Sequence, residues 1–579
     1  MGRCGHWLVG LYSSFTLSQV SRHVCLSIVS RQQLPLQGAQ LLLKGTSWIV
    51  PVDQTSDLSL LSVLVSSPLS VVWLSSVFCF VFFTHTSYRG YCMGPKEPPP
   101  LLPSGPHKIS PSSWPNAVAP CWQSAADGGT DSSFSNQLEA PMRLGSLTVV
   151  VLSGYSTIRQ ALVRQGDAFA GRPDLFTFSA VANGTSMTFS EKYGPAWMLH
   201  KKLCKNALRS FSQTEPRGSG ATCLLEEQVC AEAAEMVEVI REQAAAKGDK
   251  TGVDPVMPLV TSVANVVCAL CFGKRYDYND KEFLTIVHIN NEVLRIFAAG
   301  NLADFFPVFR YVPSPSLRKM VQHIRRMNGF MERSIEEHIS TFDKNCIRDI
   351  TDALIALCED RDESKDMTML TNSQIIHSVI DIFGAGFDTI IAGLQWSLLY
   401  LIKFPDIQDR IHQEIDDHIG TARLPRFSDK PKMPFTEAFI YEVFRHASYV
   451  PFTIPHCTTR NITLNGYFIP KDTCVFINQY QVNHDIDLWG NPDTFHPERF
   501  LGSSGTLNKE LTEKVLIFGM GKRRCLGDGF ARLEMFVFLT TLLHRLRIEN
   551  VPGQELDLST DFGLTMKPRL YRITVSSRF

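Results

Sequence analysis

The sequence predicts a mainly α-helical domain with a smaller β part, an α+β fold, preceded by a separate N-terminal region. Segments with helical periodicity occupy most of the chain after about residue 140. Short strand-like pieces lie between them, and the earlier residues lack this periodicity. With 579 residues, 44 % of them hydrophobic, the chain can bury one large core and still carry appendages. Its net charge of −1 gives no indication of nucleic-acid binding.

Apolar residues at helical spacing predict the long elements, at residues 156–165, 225–247, 317–342, 372–403, 406–419 and 435–446. Runs of aliphatic and β-branched residues predict strands at 147–152 and 474–478. The fifteen cysteines have no regular spacing, so we predict no disulfide framework. Cys268 and Cys271 lie in an apolar helical run, which favours core packing over a zinc or redox site.

The N-terminal region divides into three parts. Residues 1–57 form an atypical segment. Residues 58–83 contain no charge and are rich in Leu, Val and Phe, so they are long and apolar enough for a transmembrane anchor. A buried apolar segment is the alternative for this stretch. Residues 84–139 are rich in Pro, Ser and Gly, which predicts a disordered linker, and the folded domain is expected at 140–579.

One cysteine near the C-terminus has the most informative surroundings. Phe518, Gly521, Arg523, Cys525 and Gly527 follow the spacing F-x-x-G-x-R-x-C-x-G, and an apolar run comes after them. A thiolate can be an axial ligand of haem iron. It then needs a tight turn, which glycines permit, backbone N–H groups aimed at the sulfur, and a helix N-terminus nearby. The alternative, a structural cysteine in a basic loop, does not explain the whole pattern.

The segment 384–389, Gly-Ala-Gly-Phe-Asp-Thr, lies inside the predicted helix 372–403. Glycine in a helix interior costs roughly 1 kcal/mol relative to alanine. Small residues here would let a flat ligand approach the backbone and would leave room to loosen the hydrogen-bond ladder. The adjacent acid and hydroxyl, Asp388 and Thr389, are suited to relaying protons. The alternative is a helix crossing at small residues, with Asp388 and Thr389 facing solvent.

A third pattern combines Glu442 and Arg445 with the later Arg499. The spacing of three puts Glu442 and Arg445 on one helix face. A plain surface pair of this kind would contribute little to stability. The role of Arg499 depends on the resemblance described next.

Together these motifs resemble the cytochrome P450 monooxygenases over about residues 142–579. Segments 171–178, 450–456, 483–485 and 562–567 are similar to family 1, the microsomal aryl hydrocarbon hydroxylase branch. The resemblance implies the cytochrome P450 fold, as one large catalytic domain behind an N-terminal membrane anchor. It also implies the endoplasmic reticulum membrane, with the catalytic domain on the cytoplasmic side.

The resemblance implies that Cys525 is the axial ligand of haem b and that Asp388 and Thr389 carry protons towards reacting oxygen. Lys201 stands where the family has arginine, which keeps the charge but loses the planar fork. Residues implied to contact the haem are Trp197, Lys201, His456, Phe518, Gly521 and Arg523. Those implied to form a buried structural triad are Glu442, Arg445 and Arg499.

The resemblance also implies a pocket for apolar, planar aromatic molecules. Val293 stands where the family commonly has phenylalanine, so the slot is expected to be wider there. Residues implied to line the pocket are Phe178, Asn291, Val293, Asp381, Gly384, Ala385, Ile454, Leu564 and Thr565. This set is mostly apolar with a few polar groups, as suits an apolar ligand.

The implied partners are O2, membrane lipid and NADPH-cytochrome P450 reductase, because the chain has no flavin or nicotinamide motif of its own. NADPH would therefore act only indirectly. An acidic redox partner is expected to meet a basic patch. Its candidate members are Lys201, Lys202, Lys205, Arg209, Lys514, Lys522 and Arg524. Ordinary solvated lysines are the alternative interpretation of these residues.

Three functions are compatible with the sequence. The first is a haem-thiolate monooxygenase that inserts one oxygen atom from O2 into an apolar aromatic substrate. The second is a haem-thiolate isomerase or dehydratase that does not activate O2, although Asp388 and Thr389 argue against it. The third is a non-catalytic haem protein, if the unusual N-terminal region prevents a competent pocket.

Overall fold

The computed structural model describes residues 141–182, 185–212, 224–247, 251–312, 314–359 and 371–579. All of them belong to one compact unit. The predicted N-terminal segment, transmembrane anchor and linker, residues 1–139, lie outside the described residues.

Helices account for most of the described chain, as predicted. They are α1 (Tyr155–Arg159), α2 (Phe176–Ala182), α3 (Pro195–Ser212), α4 (Leu224–Lys247), α5 (Val256–Phe272), α6 (Lys281–Ala299), α7 (Leu302–Phe305), α8 (Pro315–Ser340), α9 (Ile350–Glu359), α10 (Asn372–Gly386), α11 (Asp388–Lys403), α12 (Pro405–His418), α13 (Pro434–Ala447), α14 (Gln479–Asn483), α15 (Ile486–Trp489), α16 (Lys509–Lys514) and α17 (Asp528–Arg545). A π-helical turn, Gln160–Arg164, continues α1.

The strands are short and form separate small sheets. They are β1 (Met142–Leu144), β2 (Leu147–Leu152), β3 (His456–Cys457), β4 (Ile462–Leu464), β5 (Tyr467–Ile469), β6 (Cys474–Ile477), β7 (Leu546–Asn550), β8 (Thr560–Asp561), β9 (Lys567–Pro568) and β10 (Ile573–Ser577). The largest sheet has the order β1-β2-β6-β3, in which only β2 and β6 are parallel. The pairs β4-β5, β7-β10 and β8-β9 are antiparallel.

The main hydrophobic core is formed by helices that pack on one another. Helix α5 packs against α4, α10 and α11, and α17 packs against α4 and α11. Helices α5 and α11 are buried over almost their whole lengths. Helices that are apolar on all sides are stable only inside a protein, so these two form the centre of the domain. The mainly α fold with a smaller β part is confirmed.

The predicted helix 372–403 is in fact two helices. A capping box of Thr371 and Gln374 starts α10, which ends at Gly386. Phe387 interrupts the helix with φ −103 and ψ −40, and α11 begins at Asp388. Glycine destabilises a helix interior, and the interruption follows directly after the Gly-Ala-Gly segment. Gly386 also lies close to α5, since a Cβ there would be 3.2 Å from Val267.

Candidate active site

The loop before α17 is a tight turn that presents Cys525. Gly519 and Gly521 have φ of +66° and +69°, where glycine is favoured. A Cβ at Gly521 would lie 1.9 Å from the carbonyl oxygen of Leu162, so only glycine fits. The Cys525 amide donates to the Phe518 carbonyl at 2.9 Å and closes the loop. Gly527 differs from expectation, because its φ of −91° is one that any residue can adopt.

Cys525 is accessible, although protein groups surround much of its side chain. Solvent reaches this residue, yet burial raises the pKa of its thiol, while the backbone amide of Gly527 lowers it. Accessibility of the residue and an effect of burial on its pKa are compatible when protein surrounds the sulfur and leaves one side open to solvent. The Gly527 amide comes just before the first turn of α17, so the predicted arrangement of backbone N–H and helix N-terminus around the sulfur is present.

Helix α14 holds this loop through hydrogen bonds from two of its side chains. The Asn483 side chain makes two hydrogen bonds of 2.9 Å to the backbone of Leu516, one as donor and one as acceptor. Gln479 accepts from the Gly519 amide at 3.1 Å and donates to the Val450 carbonyl at 2.9 Å. These two side chains therefore hold the segment before Cys525 at Leu516 and at Gly519.

The charged residues Glu442, Arg445 and Arg499 come together in the interior. Arg445 makes two bonds of 2.8 Å to the Glu442 carboxylate. Arg499 donates to the same carboxylate at 3.1 Å. The Glu442 and Arg445 side chains are both 0 % exposed. Arg445 also donates to the Asn483 carbonyl at 2.8 Å, which connects this triad to the support of the Cys525 loop.

Four cationic or basic side chains gather beside the loop without an acidic partner. Arg172, Lys201, His456 and Arg523 make no salt bridge within the described part of the chain. Burial, together with the repulsion of neighbouring cations, lowers the pKa of His456 to about 3 and that of Lys201 to about 8. Burial lowers the pKa of Arg523 to about 10. Cations withdrawn from water normally have counter-ions, so the buried Arg172 and the half-buried Lys201 and Arg523 fit an anionic group such as the two propionates of haem.

Arg172 is a member of this cluster that the sequence did not single out. It is buried, and it donates to the carbonyl oxygens of Thr188, Ile454 and Pro455 at 2.8 to 2.9 Å. Burial and the charge of Arg523 lower its pKa. The segment 171–178 was recognised only as a family motif, because the partners of Arg172 are distant backbone groups.

Trp197 provides a surface on which two of these cations lie. The Arg523 guanidinium is 4.0 Å from the centre of the Trp197 ring, and the Lys201 ammonium is 5.5 Å away. The indole N–H donates to the Met187 carbonyl at 2.9 Å. The Trp197 ring therefore helps to hold Arg523 and Lys201 in place. Its indole N–H is already bonded to the Met187 carbonyl.

On the helical break, the small residues face open space. Ala385 is exposed and Thr389 is half-exposed, one turn apart, although residues 390–402 of the same stretch are all buried. The Thr389 hydroxyl donates to the Ala385 carbonyl at 3.1 Å. Accessible small residues in this otherwise buried stretch leave open space beside the helix, as a flat haem and its ligands would need.

Asp388 is held away from Thr389. Its buried carboxylate accepts from the Thr565 hydroxyl and forms an ion pair with Lys567. Lys567 also lies 3.5 Å from the Asn291 side-chain oxygen. No hydrogen bond joins Asp388 to Thr389 among the described residues. The two predicted relay residues are thus neighbours in the chain with separate partners.

Three aromatic rings form a wall near α6. Phe178 lies 4.9 Å from Phe189 between ring centres, and Phe189 stacks on Phe297 at 5.8 Å. Sequence reasoning found Phe178 but missed the other two. Val293 is only 3 % exposed, and Phe297 follows one helical turn later. A wider slot does not follow from Val293 alone, because Phe297 supplies a ring nearby.

The remaining predicted pocket residues fall into two groups. Asn291, Gly384, Ile454 and Leu564 are half-buried, as residues at the edge of a cavity are. Asp381 is buried, and its carboxylate accepts from the Ser186 hydroxyl at 2.8 Å and the Thr188 amide at 3.0 Å. Burial raises the pKa of Asp381. Its carboxylate is thus used to tie α10 to the segment that carries Phe189.

Comparison with known proteins agrees with this geometry. The family model described as Cytochrome P450 matches residues 141–575. Cytochrome P450 1A1 of Canis lupus familiaris is 50 % identical over 428 residues, covering 74 % of this chain and 81 % of that protein. Cytochrome P450 1A1 of Opsanus tau is 47 % identical over 439 residues, covering 76 % of this chain and 84 % of that protein.

The human protein of the same name is 49 % identical over 428 residues, covering 74 % of this chain and 83 % of the human protein. The predicted resemblance to family 1 is therefore confirmed. A monooxygenase that uses haem b also agrees with the accessible Cys525 and with nearby cations that have no acidic partner among the described residues. The chain belongs to the cytochrome P450 family.

Proposed function

We propose that Cys525 is the axial haem ligand and that the chain oxidises apolar, flat aromatic molecules with electrons from NADPH-cytochrome P450 reductase. One observation carries the proposal. An accessible cysteine in a glycine-dependent loop lies beside the buried Arg172 and the half-buried Arg523, and neither arginine has an acidic partner among the described residues. A thiolate ligand and two anionic propionates would satisfy both features at once.

Haem held by a thiolate supplies activation of O2 for insertion of one oxygen atom. The protein's own residues supply position and charge. The Cys525 loop fixes the sulfur, and the Gly527 amide favours its anionic form. Arg172 and Arg523 are the strongest candidates to hold the propionates, because Arg172 is buried, Arg523 is half-buried and neither forms a salt bridge with another described residue. His456 would join them only in its protonated form, because Nδ1 already bonds the Phe169 carbonyl and the imidazolium alone carries a second N–H donor.

Thr389 is the residue best placed to pass a proton to the reaction site. Thr389 is half-exposed. Its hydroxyl lies at the helical break, where it donates a hydrogen bond to the Ala385 carbonyl. Asp388 would contribute after release from Thr565 and Lys567, or through water. The interruption at Phe387 leaves backbone groups near these residues without the usual helical partner, which favours bound water there.

The substrate pocket would be a slot between the helical break and the aromatic wall of Phe178, Phe189 and Phe297. Aromatic rings favour stacked and edge-on contacts with aromatic ligands. On the opposite side, the small side chain of the accessible Ala385 would let a flat molecule approach the helix backbone closely. A flat molecule would therefore make more contacts with both walls than a globular one. Polar groups at the edge, such as Asn291, would orient the substrate rather than bind it strongly.

A reductase would dock near helix α3. Lys202, Lys205 and Arg209 are exposed on this helix, and α3 contacts the Cys525 loop through Lys201. The loop cations are partly neutralised, because Lys522 pairs with Asp167 and Arg524 pairs with Asp528. The attraction for an acidic partner therefore comes mainly from α3.

We also propose that the catalytic domain is held at the endoplasmic reticulum membrane by residues 58–83, facing the cytoplasm. In the described part of the chain, one stretch, Asn372–Lys403, is long and apolar enough to cross a membrane. It is mostly buried within the domain, and it forms α10 and α11 of the core. The anchor proposal thus depends on the sequence of residues 58–83.

Reconstitution with purified reductase tests the function. We expect NADPH oxidation to be coupled to hydroxylation of a flat polycyclic aromatic hydrocarbon, and much less to that of a globular aliphatic molecule of similar size. Product formed from a peroxide substrate without NADPH would instead indicate an isomerase. Haem binding without any product would indicate a non-catalytic protein.

Charge reversal tests the docking surface. The double variant Lys202→Glu and Lys205→Glu should raise the KM for reductase and weaken its dependence on salt, because long-range attraction is lost. The matched control is Arg325→Glu with Arg326→Glu, two exposed residues on α8. An unchanged reductase titration in the α3 variant would contradict this docking surface.

A further inference from the structure

Lys201 connects helix α3 directly to the ligand loop. Its ammonium donates to the carbonyl oxygen of Lys522 at 2.5 Å and to that of Arg524 at 3.0 Å. These carbonyls lie on either side of Arg523, and the second belongs to the residue immediately before Cys525. An ammonium has three donors in a compact tetrahedral head, so two of the three are used on the loop itself.

The charge of Lys201 lies beside the ligand residue. Its ammonium is 3.0 Å from the carbonyl oxygen of Arg524, the residue that directly precedes Cys525. Lys202, next in the chain, is exposed and makes no such contact within the described residues.

We propose that Lys201 is a positioning residue for the Cys525 loop, which clamps two of its carbonyl groups and keeps a positive charge beside the thiolate. The haem propionates are then left to Arg172, Arg523 and His456. This inference rests on the proposed role of Cys525 as axial ligand. It assigns to Lys201 a different task from propionate binding, the task that the resemblance implied for the residue at this position.

The side-chain chemistry explains why lysine suits this task. The planar fork of arginine matches a carboxylate, which accepts two parallel hydrogen bonds. The two carbonyls of the loop converge on a single nitrogen instead. A compact ammonium can serve both, and it concentrates its charge at one point near the sulfur.

The test compares Lys201→Met, Lys201→Gln and Lys201→Arg with the neighbouring control Lys202→Met, which loses the same charge. Three quantities are measured on the haem-loaded protein. They are the thiolate-type Soret band of the reduced carbon-monoxide complex during mild urea treatment, the haem reduction potential, and the rate of haem transfer to apomyoglobin.

We expect Lys201→Met to lose the thiolate-type band at a lower urea concentration and to have a more negative reduction potential, since a cation near the iron favours the reduced state. Lys201→Arg should retain the potential. Lys201→Gln should keep part of the urea resistance but not the potential. Lys202→Met should match the parent in all three measurements.

Two results would overturn the inference. One is faster haem transfer from Lys201→Met with an unchanged band and potential, which would make Lys201 a propionate ligand. The other is no change in any measurement. A parent protein without the thiolate-type band would instead refute the proposed role of Cys525, so the two failures are distinguishable.

Discussion

The Cys525 loop and the helical break at Phe387 differ in how firmly the structure holds them. The loop is fixed by Gly521, whose place no other residue can take, by hydrogen bonds from α14 and by the buried charged triad. The break has an interrupted helix, an exposed alanine and a half-exposed threonine whose hydroxyl donates to the Ala385 carbonyl. In the function that we propose, the first region fixes the ligand atom, whereas the second leaves room for small molecules and protons to move.

The contrast is physically reasonable. A thiolate must keep one distance and direction to its metal, so strain and many contacts are useful there. Substrate, O2 and water must enter and leave the other side, which requires accessible groups and few fixed contacts. The following variants break or sharpen this contrast, from the largest expected effect to the smallest.

Glu442→Ala should have the largest effect, because it leaves Arg445 as a buried charge without a partner. We expect a loss of about 3–5 kcal/mol in the free energy of unfolding, and failure to incorporate haem. Haem content and thermal unfolding of the purified variant are the measurements. Glu510→Ala, which removes an exposed pair with Lys514, is the control and should cost at most about 1 kcal/mol. A folded, haem-loaded Glu442→Ala protein would show that the triad does not support the loop.

Gly521→Ala tests the turn that presents Cys525. The left-handed conformation alone should cost about 1–3 kcal/mol in a residue with a side chain, and the new Cβ would meet the Leu162 carbonyl. We expect a strongly reduced thiolate-type carbon-monoxide band. Gly527→Ala is the matched control, since its φ is negative and no atom lies within 4 Å of the new Cβ. Equal damage in both variants would contradict the role given to the turn.

Lys567→Met tests the hold on Asp388. It leaves the buried Asp388 carboxylate with only the Thr565 hydroxyl, at a cost of about 1–3 kcal/mol. We expect modest destabilisation and a change in the ratio of product to hydrogen peroxide formed per NADPH oxidised. Lys567→Arg keeps the charge and should stay near the parent ratio. If Lys567→Met leaves this ratio unchanged, Asp388 takes no part in proton supply.

Phe297→Leu tests the aromatic wall. Loss of stacking on Phe189 should cost about 0.5–1.5 kcal/mol and should raise the KM for flat substrates more than for globular ones.

Val293→Phe would restore the residue common in the family, but at a buried position we expect overpacking and about 1–3 kcal/mol of destabilisation. A stable Val293→Phe protein with better binding of flat substrates would show that position 293 faces the slot.

The sequence was sufficient for those features that depend on local spacing. The helical fold, the cysteine motif and the helix pair Glu442 and Arg445 all follow from residues close together in the chain. Arg172, Asn483 and Phe297 were not found as site residues, because their partners are distant backbone groups or rings whose meeting depends on tertiary packing. The hydrogen-bond partners of Lys201 were not predicted for the same reason. Its ammonium donates to two backbone carbonyls of the Cys525 loop and not to another side chain.

The helix at 372–403 shows how far local reasoning reaches. The Gly-Ala-Gly segment correctly indicated a loosened ladder, and the structure places the interruption at Phe387. The partners of Asp388 could not be predicted, because Thr565 and Lys567 approach from a segment near the C-terminus. The sequence thus located the break in this helix but not the partners of Asp388, whose role in proton supply stays a prediction.

The measurement that tests the central claim most directly is the carbon-monoxide difference spectrum of the reduced protein, with Cys525→Ser beside it. We expect a thiolate-type, red-shifted Soret band in the parent and its complete loss in Cys525→Ser. Haem that is absent from the parent, or a band typical of a neutral ligand in the parent, would contradict Cys525 as the axial ligand. The same thiolate-type band in both proteins would contradict it as well.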